Sequence, residues 1–136
     1  MPNNNDKTAK YGESFVYEKL LENGIMAKWV SFSNRKSTAD FITPDGKTID
    51  VKCAYYSKGI QRTKGDNRYW RFNIHHHGKK QEGIDYYICV LKYNEPEPLV
   101  FIFPSDIFRS FDITITSKML ERGKYDHFLN NWDLIK

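Results

Sequence analysis

Between Ala39 and Ala54, two β-type runs flank a strong turn signal. Ala39-Asp40-Phe41-Ile42 and Thr48-Ile49-Asp50-Val51-Lys52-Cys53-Ala54 are separated by Pro44-Asp45-Gly46, where proline presets φ and glycine admits a positive φ. The segment reads as a hairpin. Residues two apart on a strand share a face, so Ile49, Val51 and Cys53 form one face and Asp50 and Lys52 the other. With the apolar face turned to the core, an acid and a base stand side by side on a surface that Asp40 also reaches. Folding the hairpin brings Asp40 across from Ile49 or from Asp50, depending on whether a bulge follows the turn.

Around this hairpin the chain reads as one α/β domain over residues 7–136, with 1–6 a polar, frayed leader. Val16, Tyr17, Leu20 and Leu21 recur at spacings of three and four, predicting a helix from Lys7 to Asn23 with Gly24 as its C-cap. Glu13 lies one turn ahead of Val16 and Tyr17, on the apolar side of that helix. Ile25 to Phe32 reads as a strand. Three more follow at Tyr69 to Ile74, Asp85 to Lys92 and Leu99 to Phe103. Ser105 is positioned to cap a short helix running to Phe111. Tyr125, Phe128, Leu129, Trp132 and Ile135 have the spacing of an amphipathic closing helix. Trp29, Phe72, Phe101 and Trp132 are the expected core aromatics, and the central sheet is expected to be antiparallel or mixed.

Composition narrows the function classes. A chain of 136 residues, 40% hydrophobic and 15% aromatic, is long and apolar enough for one packed core. No apolar run approaches the roughly 20 residues needed to span a bilayer, and the first residues lack the basic and apolar regions of a secretion signal. Two cysteines, Cys53 and Cys89, each within a strand-like run, fit free thiols in a reducing, intracellular compartment; they make a disulfide scaffold or zinc cage a poor expectation. The net charge of +4 and pI near 9.0 are compatible with a nucleic-acid partner but do not select one.

The chemistry concentrates between Asp40 and Lys52. Two carboxylates and an ammonium group suit a hard divalent cation, which takes oxygen ligands and keeps waters and substrate phosphates in its other positions. Such a cation polarises a phosphoryl oxygen and acidifies an attacking water, with Lys52 orienting that water or stabilising charge. The plainer reading is an exposed strand face laced with cross-strand charge, worth about a few tenths of a kcal/mol per pair. Two carboxylates placed close together argue against it, because they repel unless a cation sits between them. For Glu13 the plainer reading is an acid favoured by the helix dipole whatever the function.

Gly12-Glu13 on a first helix, Ala39-Asp40-Phe41-Ile42, and Ile49-Asp50-Val51-Lys52 together resemble the PD-(D/E)xK nuclease superfamily. The resemblance covers roughly residues 8–56, and more loosely the later strands of small resolvase-like and intron-associated members. It implies a restriction-endonuclease-like α/β core, a mixed central sheet flanked by helices, and Mg²⁺-dependent hydrolysis of DNA phosphodiesters, with Mn²⁺ able to substitute. Carried over by residue, Asp40 and Asp50 are metal ligands helped by the Val51 carbonyl, Lys52 is the catalytic lysine, and Glu13 is the helix acid. Ala39 stands where the motif's proline would be, and the second acid is Asp50 rather than the more usual glutamate. Pro44-Asp45 is a literal Pro-Asp, but Asp45 lies five residues before Asp50, roughly 16 Å along a strand at about 3.3 Å per residue. Asp45 is therefore a turn residue and Asp40 the ligand candidate.

Phosphate contacts are expected from Lys58, Gln61, Arg62, Lys64, Arg68 and Arg71, interleaved with Tyr69 and Trp70, and from Arg35 and Lys36 ahead of Asp40. His75-His76-His77 cannot all face one way, so a metal site there is disfavoured. One such site cuts one strand, so a homodimer is expected for paired cuts. The rival from another class is a non-catalytic nucleic-acid-binding module that keeps the nuclease fold; a ribonuclease or exonuclease on the same scaffold is a second.

Overall fold

The computed structural model describes residues 4–33, 39–59, 67–76, 79–80 and 82–136. Its centre is a five-stranded mixed sheet in the order β1 (Lys28–Trp29), β2 (Phe41–Ile42), β3 (Thr48–Tyr55), β8 (Tyr86–Lys92) and β9 (Leu99–Pro104). The β3–β8 pair is parallel and the others antiparallel. Between β3 and β8 the chain leaves to form β4 (Ser57–Lys58), β5 (Arg68–Asn73) and a small ribbon of β6 (His75–His76) with β7 (Lys79–Lys80). β10 (Asp112–Thr116) joins β5 and β4 in a second, three-stranded sheet.

Both faces of the central sheet are covered, which is why β8 reads as an unbroken buried run from Tyr87 to Leu91. Ile49, Ile88, Val90, Val100 and Ile102 face α1 (Asn4–Glu22), which contributes Val16 and Leu20. Tyr87, Cys89, Leu91, Phe101 and Phe103 face the second sheet and meet Trp70, Phe72, Ile113 and Ile115. Leu120 of α3 (Ser117–Arg122) packs into this second cluster. The expected mixed sheet flanked by helices is the architecture found. Each side chain of this size buried contributes about 1.5–3 kcal/mol, so the sheet is held from both sides.

α1 comes unusually close to β3. At Gly12, which is buried, a Cβ would lie 2.6 Å from Cys53 Cβ and 3.5 Å from Val51 Cγ1. Glycine is needed there for close approach. An aromatic group locks the same contact laterally: Tyr17 of α1 lies 5.2 Å from the Trp29 ring and 6.1 Å, stacked, from Phe41.

Several local expectations are corrected. The strand expected over Ile25 to Phe32 is only Lys28–Trp29; the chain then turns into the one-turn helix α2 (Val30–Ser33). The reason is that Val30 and Ser31 donate their amides to the Asp40 carbonyl, at 2.8 and 3.3 Å. The helix expected from Ser105 is a 3₁₀ turn over Ser105–Ile107. The strand β10 and the helix α3 follow it. The closing helix is two 3₁₀ turns, Asp126–Phe128 and Trp132–Leu134, interrupted by Asn130 at φ 52°. Asn130 donates to the Val100 carbonyl at 2.9 Å and Leu129 bridges Phe101, so the tail covers the free edge of β9. Its apolar residues are buried as expected but split between the two sides, Phe128 in one cluster and Trp132 and Ile135 in the other. Cys89 is buried, Cys53 half-buried, and both are free thiols. Burial pushes Cys53 up to about 12 and raises Cys89 as well, so neither is an activated thiol. No helix among the described residues is long and apolar enough to cross a membrane.

The α1–β3 contact generates a test. Gly12→Val is expected to destabilise the fold by about 1–3 kcal/mol through overpacking, read as a lower urea midpoint. The half-buried control Gly59→Ala, whose Cβ meets only a carbonyl at 3.4 Å, is expected to change it far less.

Candidate active site

The hairpin turn decides the site. Gly46 donates to the Thr43 carbonyl at 2.9 Å and Thr43 donates to the Lys47 carbonyl at 2.9 Å, with Gly46 at φ 89°. This is a tight turn over Pro44-Asp45 closed by a left-handed glycine, a one-residue bulge. The bulge shifts the pairing to Phe41 opposite Ile49 and Ile42 opposite Thr48. Of the two registers open in the sequence, the one with Asp40 across from Asp50 is therefore adopted. Asp45 stays in the turn, exposed, hydrogen-bonded by Thr43 and paired with Lys47 at 3.2 Å.

Asp40 is fixed at both backbone and side chain. Its amide donates to the Ile49 carbonyl at 2.8 Å, its carbonyl receives Val30 and Ser31, and its Oδ2 accepts the Val51 amide at 2.8 Å. Asp50 is 6% exposed. It projects, with Lys52, from the face of the central sheet that the second sheet covers, rather than from an open surface. Lys52 Nζ stands 2.9 Å from Asp50 Oδ2 as an ion pair. The contact is not aligned as a hydrogen bond, and that buried oxygen has no hydrogen-bond partner.

Burial, and then the carboxylate of Asp50 close enough to share a proton, push Asp40 up to about 6; the Val51 amide works the other way. Glu13 is also raised, chiefly by burial and further by the charge of Asp40. Glu13 reaches this neighbourhood from α1. Its Oε1 accepts the Trp29 indole N–H at 3.2 Å and the Ser31 hydroxyl, while the same indole N–H lies 3.2 Å from Ser31 Oγ. The four residues singled out in the sequence, Glu13, Asp40, Asp50 and Lys52, are thus drawn from α1, the approach to β2, and β3 into one locality. Among the described residues, no three His, Cys, Asp or Glu side chains converge as a ready-made metal cage. What the chain provides is an opposed pair of carboxylates, with Lys52 on one and Glu13 beside the other.

The basic residues are placed less uniformly. Lys58 is exposed on β4. Arg68 lies over the Tyr56 and Trp70 rings at 5.3 and 5.9 Å. Arg71 is on the outer face of the second sheet, alternating with buried Trp70 and Phe72, and is paired with Asp112. The structure does not bring Arg71 to the carboxylates. Arg35, Lys36, Gln61, Arg62 and Lys64 lie outside the described residues, as does His77. Sequence reasoning missed Ser31 and Trp29 as holders of Glu13. Trp29 reads as core, and no spacing rule joins Ser31 to a residue eighteen positions earlier.

No family model and no curated protein matches the chain. One solved structure does: a bacterial homing endonuclease, I-Ssp6803I, with a TM-score of 0.67 at 16% identity, over 98% of this chain and 93% of that one. The two share a fold. The likeness runs nearly end to end, so it includes the second sheet and the tail as well as the hairpin.

The raised acids predict an unusual pH response. Asp40 binds a proton in the folded state at about 6 and, unfolded, only near 3.8, so the folded chain holds more protons between these values. Stability of the metal-free chain is therefore expected to rise as pH falls from 7 toward 5 and to level off near 4. Asp40→Asn should flatten that segment of a plot of urea midpoint against pH. An unchanged slope in the variant would assign the response to other groups.

Proposed function

We propose that this chain is a metal-dependent DNA endonuclease with a PD-(D/E)xK-type site. The single observation that carries the reading is the bulged register that sets Asp40 against Asp50, with Lys52 on the latter. Similarity of fold to an endonuclease over almost the whole chain supports it.

The residues fit a hard divalent cation. Asp50 Oδ2 is a buried carboxylate oxygen that Lys52 meets as an ion pair without an aligned hydrogen bond, and Asp50 faces a second carboxylate whose affinity for protons is raised by burial and by that proximity. A positive ion relieves both conditions, where a purely structural charge pair would leave the repulsion standing. Asp40 and Asp50 would hold Mg²⁺, or Mn²⁺ in its place, with the Val51 carbonyl and waters completing the shell. When bound, the ion supplies Lewis acidity to a phosphoryl oxygen and lowers the pKa of a water.

The chain's own groups do the rest. Lys52, anchored on Asp50, presents a fixed cation with protons to donate toward the charge that develops on the phosphate. Glu13, held by Ser31 and Trp29, offers an oriented carboxylate to accept a water proton. Lys58 and Arg68, together with Arg35, Lys36, Gln61, Arg62 and Lys64, are the groups proposed to meet the DNA backbone, and Arg71 does so only by giving up Asp112. Each site cuts one strand, so two protomers related by a two-fold axis are proposed for paired cuts. An intracellular location agrees with the free thiols.

The test is cleavage of supercoiled and branched DNA with Mg²⁺, with Mn²⁺ and with EDTA. Wild-type chain is expected to nick only with metal. Asp50→Ala and Lys52→Ala are each expected to lose about 10²-fold or more in rate while DNA binding survives. Binding without cutting by wild type on every substrate would instead identify a non-catalytic module on a nuclease fold.

A further inference from the structure

The face of the central sheet that carries Asp50 and Lys52 holds one more polar group, which the chemistry above leaves unused. Tyr87 is fully buried, and its hydroxyl has no hydrogen-bond partner. It is the register partner of Asp50 across the parallel β3–β8 pair, as Cys89 is of Lys52. The two side chains therefore rise from the same face on neighbouring strands. Asp50 Oδ2 is likewise buried without a hydrogen-bond partner. The chain thus places on one face of neighbouring strands a buried hydroxyl with no partner and a buried carboxylate oxygen that meets Lys52 as an ion pair but has no hydrogen bond.

Such an arrangement is costly. A buried hydroxyl left unpaired forfeits the hydrogen bonds it would make with water, and phenylalanine would fill the surrounding apolar cluster without that cost. Burial and the nearby Asp50 charge push the Tyr87 hydroxyl up to about 12, so at neutral pH it stays a neutral hydroxyl, whose oxygen can accept a hydrogen bond from a metal-bound water. A water held in a protein needs two to four polar partners, and a hard cation bound by few carboxylates keeps waters in its shell. Asp50 and Tyr87 supply two partners of the right kind.

We propose that Tyr87 is a positioning residue whose hydroxyl is kept unpaired in the metal-free chain to hold a water of the cation bound at Asp40 and Asp50. The assignment rests on the metal-site reading above. It separates two properties that a core-filling tyrosine moves together. Without metal the hydroxyl is a liability, and with metal it is a ligand to the ion's hydration.

The experiment compares full-length wild type with Tyr87→Phe in two measurements. Urea unfolding in EDTA reads the metal-free fold, and calorimetric titration with Mn²⁺ reads the site without any need for cleavage. The variant is expected to unfold at a higher urea concentration than wild type and to bind Mn²⁺ roughly tenfold more weakly, the range usual for groups supporting a metal's ligands. Asp50→Asn serves as the reference that removes the charge of a proposed ligand. A variant that is no more stable than wild type in EDTA, or that binds Mn²⁺ equally well while Asp50→Asn does not, overturns the assignment and leaves the metal site standing. Wild type that binds no Mn²⁺ overturns the metal reading and this assignment with it.

Discussion

Everything at the site depends on two carboxylates being held opposite each other on paired strands. Two unit charges about 4 Å apart at an effective dielectric of about 20 repel by roughly 4 kcal/mol, more than an ordinary cross-strand pair returns. The chain does not relieve this by letting Asp40 swing away. It ties the Asp40 backbone to Ile49, Val30 and Ser31 and its carboxylate to the Val51 amide, so the acid is held against the repulsion by the main chain of three segments. Lys52 neutralises one partner from the side, and below about pH 6 a proton on Asp40 lowers the remaining cost. An arrangement this constrained is stable only because the sheet beneath it is packed on both faces.

That packing also explains where the third acid comes from. Helix α1 sits against β3 at the distance that a glycine permits, and the Tyr17, Trp29 and Phe41 rings fix it sideways. Glu13 follows Gly12 directly, so the residue that lets the helix approach also sets the height of the acid above the hairpin. Trp29 belongs to both systems. Its ring packs in the aromatic group and its indole N–H holds Glu13, which makes the position of that acid a consequence of core packing.

How much of this is legible in the sequence follows from the range of the interactions. The hairpin and its alternate faces are encoded locally by period-two spacing and turn residues, and the buried strands at Tyr86 to Lys92 and Leu99 to Pro104 by continuous apolar runs, and they are found where expected. Register stays open between two choices in the sequence because one glycine conformation decides it, and that is a property of the folded turn. The strand at Asp112 to Thr116 was missed although Ile113 and Ile115 alternate with polar residues; the signal was present but short. The tail shows the opposite failure. Phe128, Trp132 and Ile135 have helical spacing, yet each is buried by docking on the edge of β9, where the Val100 carbonyl and the left-handed Asn130 outweigh local propensity. The Asp40 carbonyl overrides the strand pattern at Val30 in the same way. The bond from Ser31 to Glu13 and the placement of Tyr87 beside Asp50 join distant parts of the chain and leave no periodic trace.

Fold and site are in the end one constraint. A strand has a side-chain period of two, so a slip of one residue in β3 would turn Asp50 and Lys52 toward α1 and bring Ile49, Val51 and Cys53 into the site. The loss of the apolar contacts to Val16 and Leu20, at about 1.5–3 kcal/mol for each large side chain, forbids that slip. The same register that keeps Ile49 in the core therefore keeps Asp50 beneath Asp40, and the bulge at Gly46 transmits it across the hairpin. The hydrogen bonds that hold Asp40 in place act within a register that the hydrophobic core already fixes. Repulsion between them is tolerated since every movement that would relieve it must first expose apolar surface.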